Sequence, residues 1–352
     1  MSKSTSYHGE STLLRPTTKD LARVAGVSRA TVDRVLNGRD GVKMKTVEKV
    51  NAAIEELGFV RNLAAANLAK SRTYRFGFVL PQSGDQFLGE IVKHIHEAQT
   101  SFTADMVTTT VRHIDQNDPF KIAALLAALS PEIVDGVAIM APETPQVRDA
   151  IQRLQERGVH ALPFISNQTL DGDQWVGIDN HAAGATAGTL IGRFLPGKAG
   201  KLVVIADSIL SRDSLERRSG FDWVINSDFS HLTALPSLET YGSQDRANRI
   251  VLETFRHQSD IAGVYILSSE ARGPLSAIWN VPLPQKIVII AHERTPCTVD
   301  ALVEGTLDAI IAQDPGHLVR SAIRKLRALT DGRSTLQSQE KIRVEIILKS
   351  NL

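Results

Sequence analysis

The sequence predicts an N-terminal all-α helix-turn-helix head with a hinge helix, followed by an α/β body of two doubly wound parallel-sheet lobes. Three observations lead there. The chain has 352 residues, more than one core usually organises. Residues 17–60 carry short helical apolar patterns broken at Gly and Asn. From Phe76 onward, short apolar runs alternate with longer stretches of helical periodicity, the signature of βαβ units and parallel sheets.

Residues 1–16 are polar and aperiodic and read as a disordered tail. Thr17 is placed to cap the first helix, with Asp20 at N3 completing a capping box. Leu21, Val24 and Ala25 give that helix an apolar face, and Gly26 breaks it. Ser28 can cap a second helix that runs to about Leu36 and ends at Asn37-Gly38. A third helix, from about Lys45 to Leu57, sets Val47, Val50, Ile54 and Leu57 on one face and stops at Gly58. Residues 61–75 hold the alanine-rich NLAAANLAK (62–70) and read as a hinge helix and linker. Alone in water so short a helix is marginal, because nucleation is costly. The body is then 76–352, with strands expected at FGFVLP (76–81), MVTTTV (106–111), DGVAIMAP (135–142), HALPFIS (160–166), KLVVIA (201–206), IAGVYIL (261–267) and KIVIIA (286–291).

Apolar residues make up 42% of the chain and charged residues 22%, ordinary for a soluble globular protein. The one cysteine, Cys297, excludes a disulfide scaffold within the chain and a zinc site built on several thiolates. It fits a reducing cytoplasm. The first residues lack the apolar segment of a signal peptide. No apolar run approaches the roughly 18 residues of a membrane span. A cytoplasmic location without a membrane partner is therefore expected.

The net charge of +1 hides an asymmetry. Residues 17–75 hold twelve Lys and Arg against six Asp and Glu, net +6; the tail carries +1, and the other 277 residues carry −6. A basic head on an acidic body points to a polyanion partner for the head alone. The glycine-rich GIDNHAAGATAG (177–188) is not a G-x-G-x-x-G after a strand, and there is no G-x-S-x-G. His94, His96 and His113 form no metal set with a nearby carboxylate pair and read as structural. No catalysis, cofactor or metal is expected.

Two helices joined by a Gly-containing turn describe a helix-turn-helix, whose second helix enters the major groove. KDLARVAGVSRATVDRVLNG followed by TVEKVNAAIEELGFVRN resembles the head of the lactose-repressor (LacI/GalR) family, from Thr17 to about Lys70 without a gap. The resemblance implies a sequence-specific DNA-binding transcription regulator, a repressor. It would bind double-stranded operator DNA as a homodimer and be nucleoid-associated when bound. The family's base-reading positions fall on Arg29, Ala30 and Arg34. Arginine can bond guanine O6 and N7 together, and alanine can touch a thymine methyl. Thr31, Asn37, Arg39, Lys43 and Lys45 are placed to meet phosphates, and Thr17 belongs to the same DNA-facing set. NLAAANLAK matches the family's hinge helix, with Asn62, Ala65 and Leu68 toward DNA. Leu68 matches the leucine that wedges into the minor groove and kinks the duplex. Lys43 stands where the family often has a capping serine, and Arg61 and Ala66 replace its usual proline and arginine.

The body resembles the type I periplasmic sugar-binding fold that this family shares. The resemblance implies a small-molecule effector, a sugar or sugar derivative, between the lobes, acting as inducer or as corepressor. Open α/β sheets bind ligands at the carboxyl ends of their strands. That rule points to Asp85 and Gln86 for hydroxyls, Phe87 for a sugar face, and Asn167 beside Ser166. Asp207, Arg212, Glu270 and His292 follow other strands. Arg217 matches the family arginine that contacts the effector, and Glu293 stands where an effector-binding Asp is usual. Gln313-Asp314-Pro315 resembles the hinge-proximal segment of ribose-type binding proteins. A periplasmic transport receptor would share this body but has no use for a helix-turn-helix.

Overall fold

The computed structural model describes residues 16–36, 41–59 and 73–352, apart from 83, 103–105, 169–173, 198, 210 and 282–285. The chain divides into two compact units at Arg72/Thr73.

The described residues of the first unit form three helices: α1 (Thr18–Ala25), α2 (Arg29–Leu36) and α3 (Met44–Leu57). The capping box forms as the sequence predicts. Thr17 Oγ1 accepts from Asp20 N at 3.4 Å, and Asp20 Oδ2 accepts from Thr17 N at 2.9 Å. Ser28 Oγ accepts from Thr31 N at 3.1 Å and so starts α2. Lys43 gives α3 no side-chain cap, the consequence of lacking a serine there. Gly26 and Gly58 end α1 and α3 in the left-handed region, which a Cβ disfavours. Leu21, Ala25, Val32, Val50 and Ala53 form a small core, with Val24, Ile54 and Leu57 at its edge. Val47 stays half-buried outside that cluster.

The second unit has two sheets. The first lobe orders its strands β2-β1-β3-β4, all parallel: β1 (Tyr74–Pro81), β2 (Val107–Ile114), β3 (Gly136–Ile139) and β4 (His160–Pro163). Helices α4 (Gln86–Ser101), α5 (Pro119–Ala127) and α6 (Pro145–Glu156) connect them. Tyr74 and Arg75, assigned to the linker from sequence, are the first residues of β1, because Tyr74 is an inward-facing core residue. β4 stops at Pro163 rather than running to Ser166. Ile165 turns left-handed at φ 64°, and the chain leaves for the second lobe with only a Phe164–Val176 bridge.

The second lobe begins with α7 (Asn180–Phe194) and continues β5 (Gly200–Ala206), α8 (Arg212–Asp228), β6 (Leu232–Ala234), β7 (Leu238–Glu239), α9 (Gln244–His257), β8 (Ile261–Ile266), α10 (Arg272–Trp279), β9 (Val288–His292), α11 (Pro296–Glu304) and β10 (Ala309–Ala312). The sheet order is β11-β10-β9-β8-β5-β6, with β7 also on β5. After β10 the chain crosses back, and α12 (Pro315–Thr330) lays Leu318, Val319, Ala322, Ile323 and Leu326 into a core shared with the first lobe's strands. A short α13 (Gln337–Glu340) precedes the last strand, β11 (Glu345–Ile347), which rejoins the second sheet antiparallel to β10. The chain thus passes three times between the lobes. All residues of β3 and β8 are buried, which explains why those strands read as unbroken apolar runs.

The glycines of 177–188 serve the meeting of α7 and α8. A Cβ at Gly184 would lie 1.8 Å from Arg217 O, and one at Gly220 would lie 1.9 Å from His181 O. The two backbones touch, and that contact sets where Arg217 stands. Gly184→Ala should push the helices apart and destabilise the body by at least about 1–3 kcal/mol, the usual cost of overpacking. Urea unfolding checks this; an unchanged midpoint contradicts the close crossing.

Candidate functional site

In the first unit, α2 presents one open face. Arg29, Ala30 and Arg34 are exposed, while Val32 packs inward. Thr31 is half-buried, its hydroxyl bonded to Ser28 Oγ at 2.9 Å. Thr17, Lys43 and Lys45 are exposed. Asn37, Arg39, Asn62, Ala65 and Leu68 lie outside the described residues.

In the second unit the chemistry centres on Arg217. It points from α8 into a site where its guanidinium is 2% exposed. Nε donates to Asn180 Oδ1 at 2.9 Å, Nη1 to Leu267 O at 2.8 Å and Nη2 to Glu293 Oε1 at 3.1 Å. Gln313 Nε2 donates to the same Glu293 oxygen at 2.9 Å. Glu293 follows β9 with φ at 63°, a conformation costly for a side-chain-bearing residue and found most at binding sites.

The network is incomplete. Among the described residues, Glu293 Oε2, Gln313 Oε1, Gln168 Oε1 and His292 Nδ1 are buried side-chain atoms with no hydrogen-bond partner. Leaving such atoms unmet costs about 1–3 kcal/mol each. A ligand bearing donors beside Glu293 and Gln313, which are bonded to each other, could satisfy both of their free oxygens. His292 is buried, its Nε2 sharing a hydrogen with Tyr265 Oη at 2.7 Å, and Tyr265 stacks on Phe221. Burial, then the Arg217 charge, pulls the His292 pKa well down and keeps it neutral. Burial pushes Glu293 up to about 7 against the pull of Arg217 and Gln313. It also raises Asp85 and Asp207.

Around this centre the lobes are bonded to each other. Asp85 caps α4 through Phe87 N at 2.7 Å and also accepts from Ser269 Oγ of the second lobe. Gln86 Oε1 accepts from Cys297 N at 3.3 Å, and Arg272 Nη2 donates to Gly84 O at 2.6 Å. Arg212 Nη1 donates to Glu143 Oε2 at 3.0 Å. Asp85, Gln86, Arg217 and Glu293 therefore gather where strand ends of the two lobes face each other. Phe87 does not join them as an open platform: it is 2% exposed in the apolar core, so a role covering a sugar face is not what its packing offers. Asn167 is half-buried, with Oδ1 turned to Gln168 N at 2.8 Å. Asn180, Gln313, Gln168 and Ser269 were not selected from sequence. Only Gln313 stood in a segment already marked by resemblance; a lone Asn, Gln or Ser carries no spacing signal.

Residues 76–334 match the family model of a periplasmic binding protein domain, and residues 17–62 match that of bacterial regulatory proteins, lacI family. Over most of its length the chain belongs to the periplasmic binding protein domain family, and its head matches the lacI family of bacterial regulatory proteins. It is similar to the HTH-type transcriptional regulator RegA of Clostridium saccharobutylicum, 38% identical over 136 residues, 39% of each chain. It is 30% identical over 135 residues to catabolite control protein A of Staphylococcus xylosus, 38% of this chain and 40% of that one. The matches thus span about two fifths of these curated relatives. A periplasmic solute-binding protein of an ABC transporter from Actinobacillus succinogenes, solved with D-allose, shares the fold of the body. Its TM-score is 0.71 at 13% identity, over 79% of this chain and 99% of that one.

The raised pKa of Glu293 makes a stability prediction. A carboxyl that holds its proton more tightly when folded stabilises the fold below its ordinary value of 4.5, and that contribution is lost as pH rises through about 7. Relative to Glu293→Gln, the wild type should therefore lose melting temperature between pH 5 and pH 8. A constant difference across that range contradicts the buried, proton-holding environment.

Proposed function

We propose that this protein is a sequence-specific DNA-binding transcription regulator, a repressor, whose operator affinity is set by a small sugar-like effector held between the two lobes of the body. The observation that carries the reading is the exposed trio Arg29, Ala30 and Arg34 on a capped second helix, in a stretch, residues 17–75, of net charge +6. Arg29 and Arg34 are suited to guanine edges and Ala30 to a thymine methyl. Thr17, Thr31, Asn37, Arg39 and Lys43 would hold phosphates. Asn62, Ala65 and Leu68 would form the hinge, with Leu68 entering the minor groove.

On this reading a homodimer sets one head on each half of a pseudo-palindromic operator. The effector, bonded by Arg217, Glu293, Asp85, Gln86 and Asn167, changes how the lobes close. It can move the DNA-binding equilibrium only by its unequal affinity for the two states. No helix of the described residues is long and apolar enough to cross a membrane, and the reading places the protein in the cytoplasm.

Selection from random double-stranded DNA, followed by affinity titrations at several salt concentrations, tests the proposal. The log–log slope should be steep, because each neutralised phosphate contributes about −0.9 to it. Arg29→Ala should weaken the selected site by about 1–3 kcal/mol and relax one position while leaving non-specific binding nearly unchanged. A flat salt response, or no enriched sequence, refutes the DNA-reading role.

A further inference from the structure

The charges around the cleft narrow the chemistry of what it holds. This step rests on the effector reading above and adds the ligand's charge class. Three arginines reach the facing strand ends, and each is already held by carboxylate. Arg217 bonds Glu293 at 3.1 Å, Arg212 bonds Glu143 at 3.0 Å and Glu216 at 2.8 Å, and Arg272 bonds Glu270 at 2.6 Å. Asp85 and Asp207 stand among them, Asp207 bonded to Thr240 Oγ1 at 2.7 Å. Six carboxylates thus face three guanidinium groups. Arg294, exposed near Gln313, lines a neighbouring cavity of about 510 Å³ with Glu90, Asp314 and Glu345, so carboxylates outnumber it too.

The buried atoms left without partners say the same. Gln313 Oε1 is an acceptor that calls for a donor, and Glu293 Oε2 beside it accepts whenever its carboxyl is ionised. A hydroxyl or an ammonium donates; an ionised phosphate or carboxylate brings acceptors only. An anionic group would meet like charge at close range, in surroundings that screen it poorly. Every guanidinium it could reach there is already shared with a carboxylate. We infer that the effector is a polyhydroxyl compound without negative charge, neutral or bearing an amine, and that phosphorylated and acidic sugars are excluded.

The test uses the full chain and matched ligand sets on common carbon skeletons. D-glucose, D-galactose, D-allose and D-ribose are each compared with the available phosphate, sugar acid and amino sugar of the same skeleton. Thermal shift finds binders and calorimetry ranks them. At least one neutral or amino member should raise the melting temperature, and it should bind at least about tenfold more tightly than its own phosphate or acid. A phosphate or acid that equals or exceeds its parent overturns the charge assignment while leaving the sugar-receptor reading intact. No shift from any member refutes the sugar-receptor reading, and this inference falls with it.

Discussion

Arg217 and Glu293 meet at 3.1 Å with both side chains almost wholly removed from water. Taking two charges out of water costs several kcal/mol per ion, and their attraction offsets this only when the remaining donors and acceptors are met. Here each guanidinium nitrogen has a partner and one carboxylate oxygen has none. Arg217 has three partners, two of them neutral. Glu293 keeps one oxygen empty. A site that served stability alone would do better with apolar residues of the same volume. The imbalance makes physical sense if a ligand completes it.

The surrounding fold can be understood as what holds that unfinished network in place. The glycine contact between α7 and α8 brings Asn180 and Arg217 within bonding distance. β9 delivers Glu293 in a left-handed backbone conformation, and the crossing after β10 delivers Gln313. The latter lies on one of the three passages between the lobes. A ligand that bonds Glu293 and Gln313 would thus touch both the second lobe and a segment that passes between the lobes. Bonds such as Arg272 to Gly84 O and Gln86 to Cys297 N close the cleft from its sides.

Much of this was legible in the sequence. The capping box at Thr17 and Asp20 is a local signal with a local cause, and it appears as read. The parallel strands were visible because buried strands are apolar along their whole length. Their ends were less so: HALPFIS runs on as apolar sequence past Pro163, where the backbone turns left-handed at Ile165. Arg217 and Glu293 were found through resemblance, and their mutual bond could not be, since 76 residues separate them. Phe87 is ambiguous in the sequence, because an aromatic after a strand serves a core as well as a ligand. Several helix starts carried a plainer sign than was used: Asp118-Pro119, Thr144-Pro145, Thr295-Pro296 and Asp314-Pro315 each pair a cap with proline at the first turn.

Gln313 distinguishes buried acceptors that serve a ligand from acceptors that serve the fold. Its Oε1 has no partner, and Glu293 Oε1 keeps Arg217 if Gln313 is lost. The measurement is the melting temperature and sugar affinity of Gln313→Leu beside the wild type. The unliganded melting temperature should stay close to wild type, because loss of the unmet Oε1 offsets loss of the Nε2 bond to Glu293, while sugar affinity falls at least about tenfold. A variant that melts well below wild type yet binds sugar as tightly would contradict the ligand role.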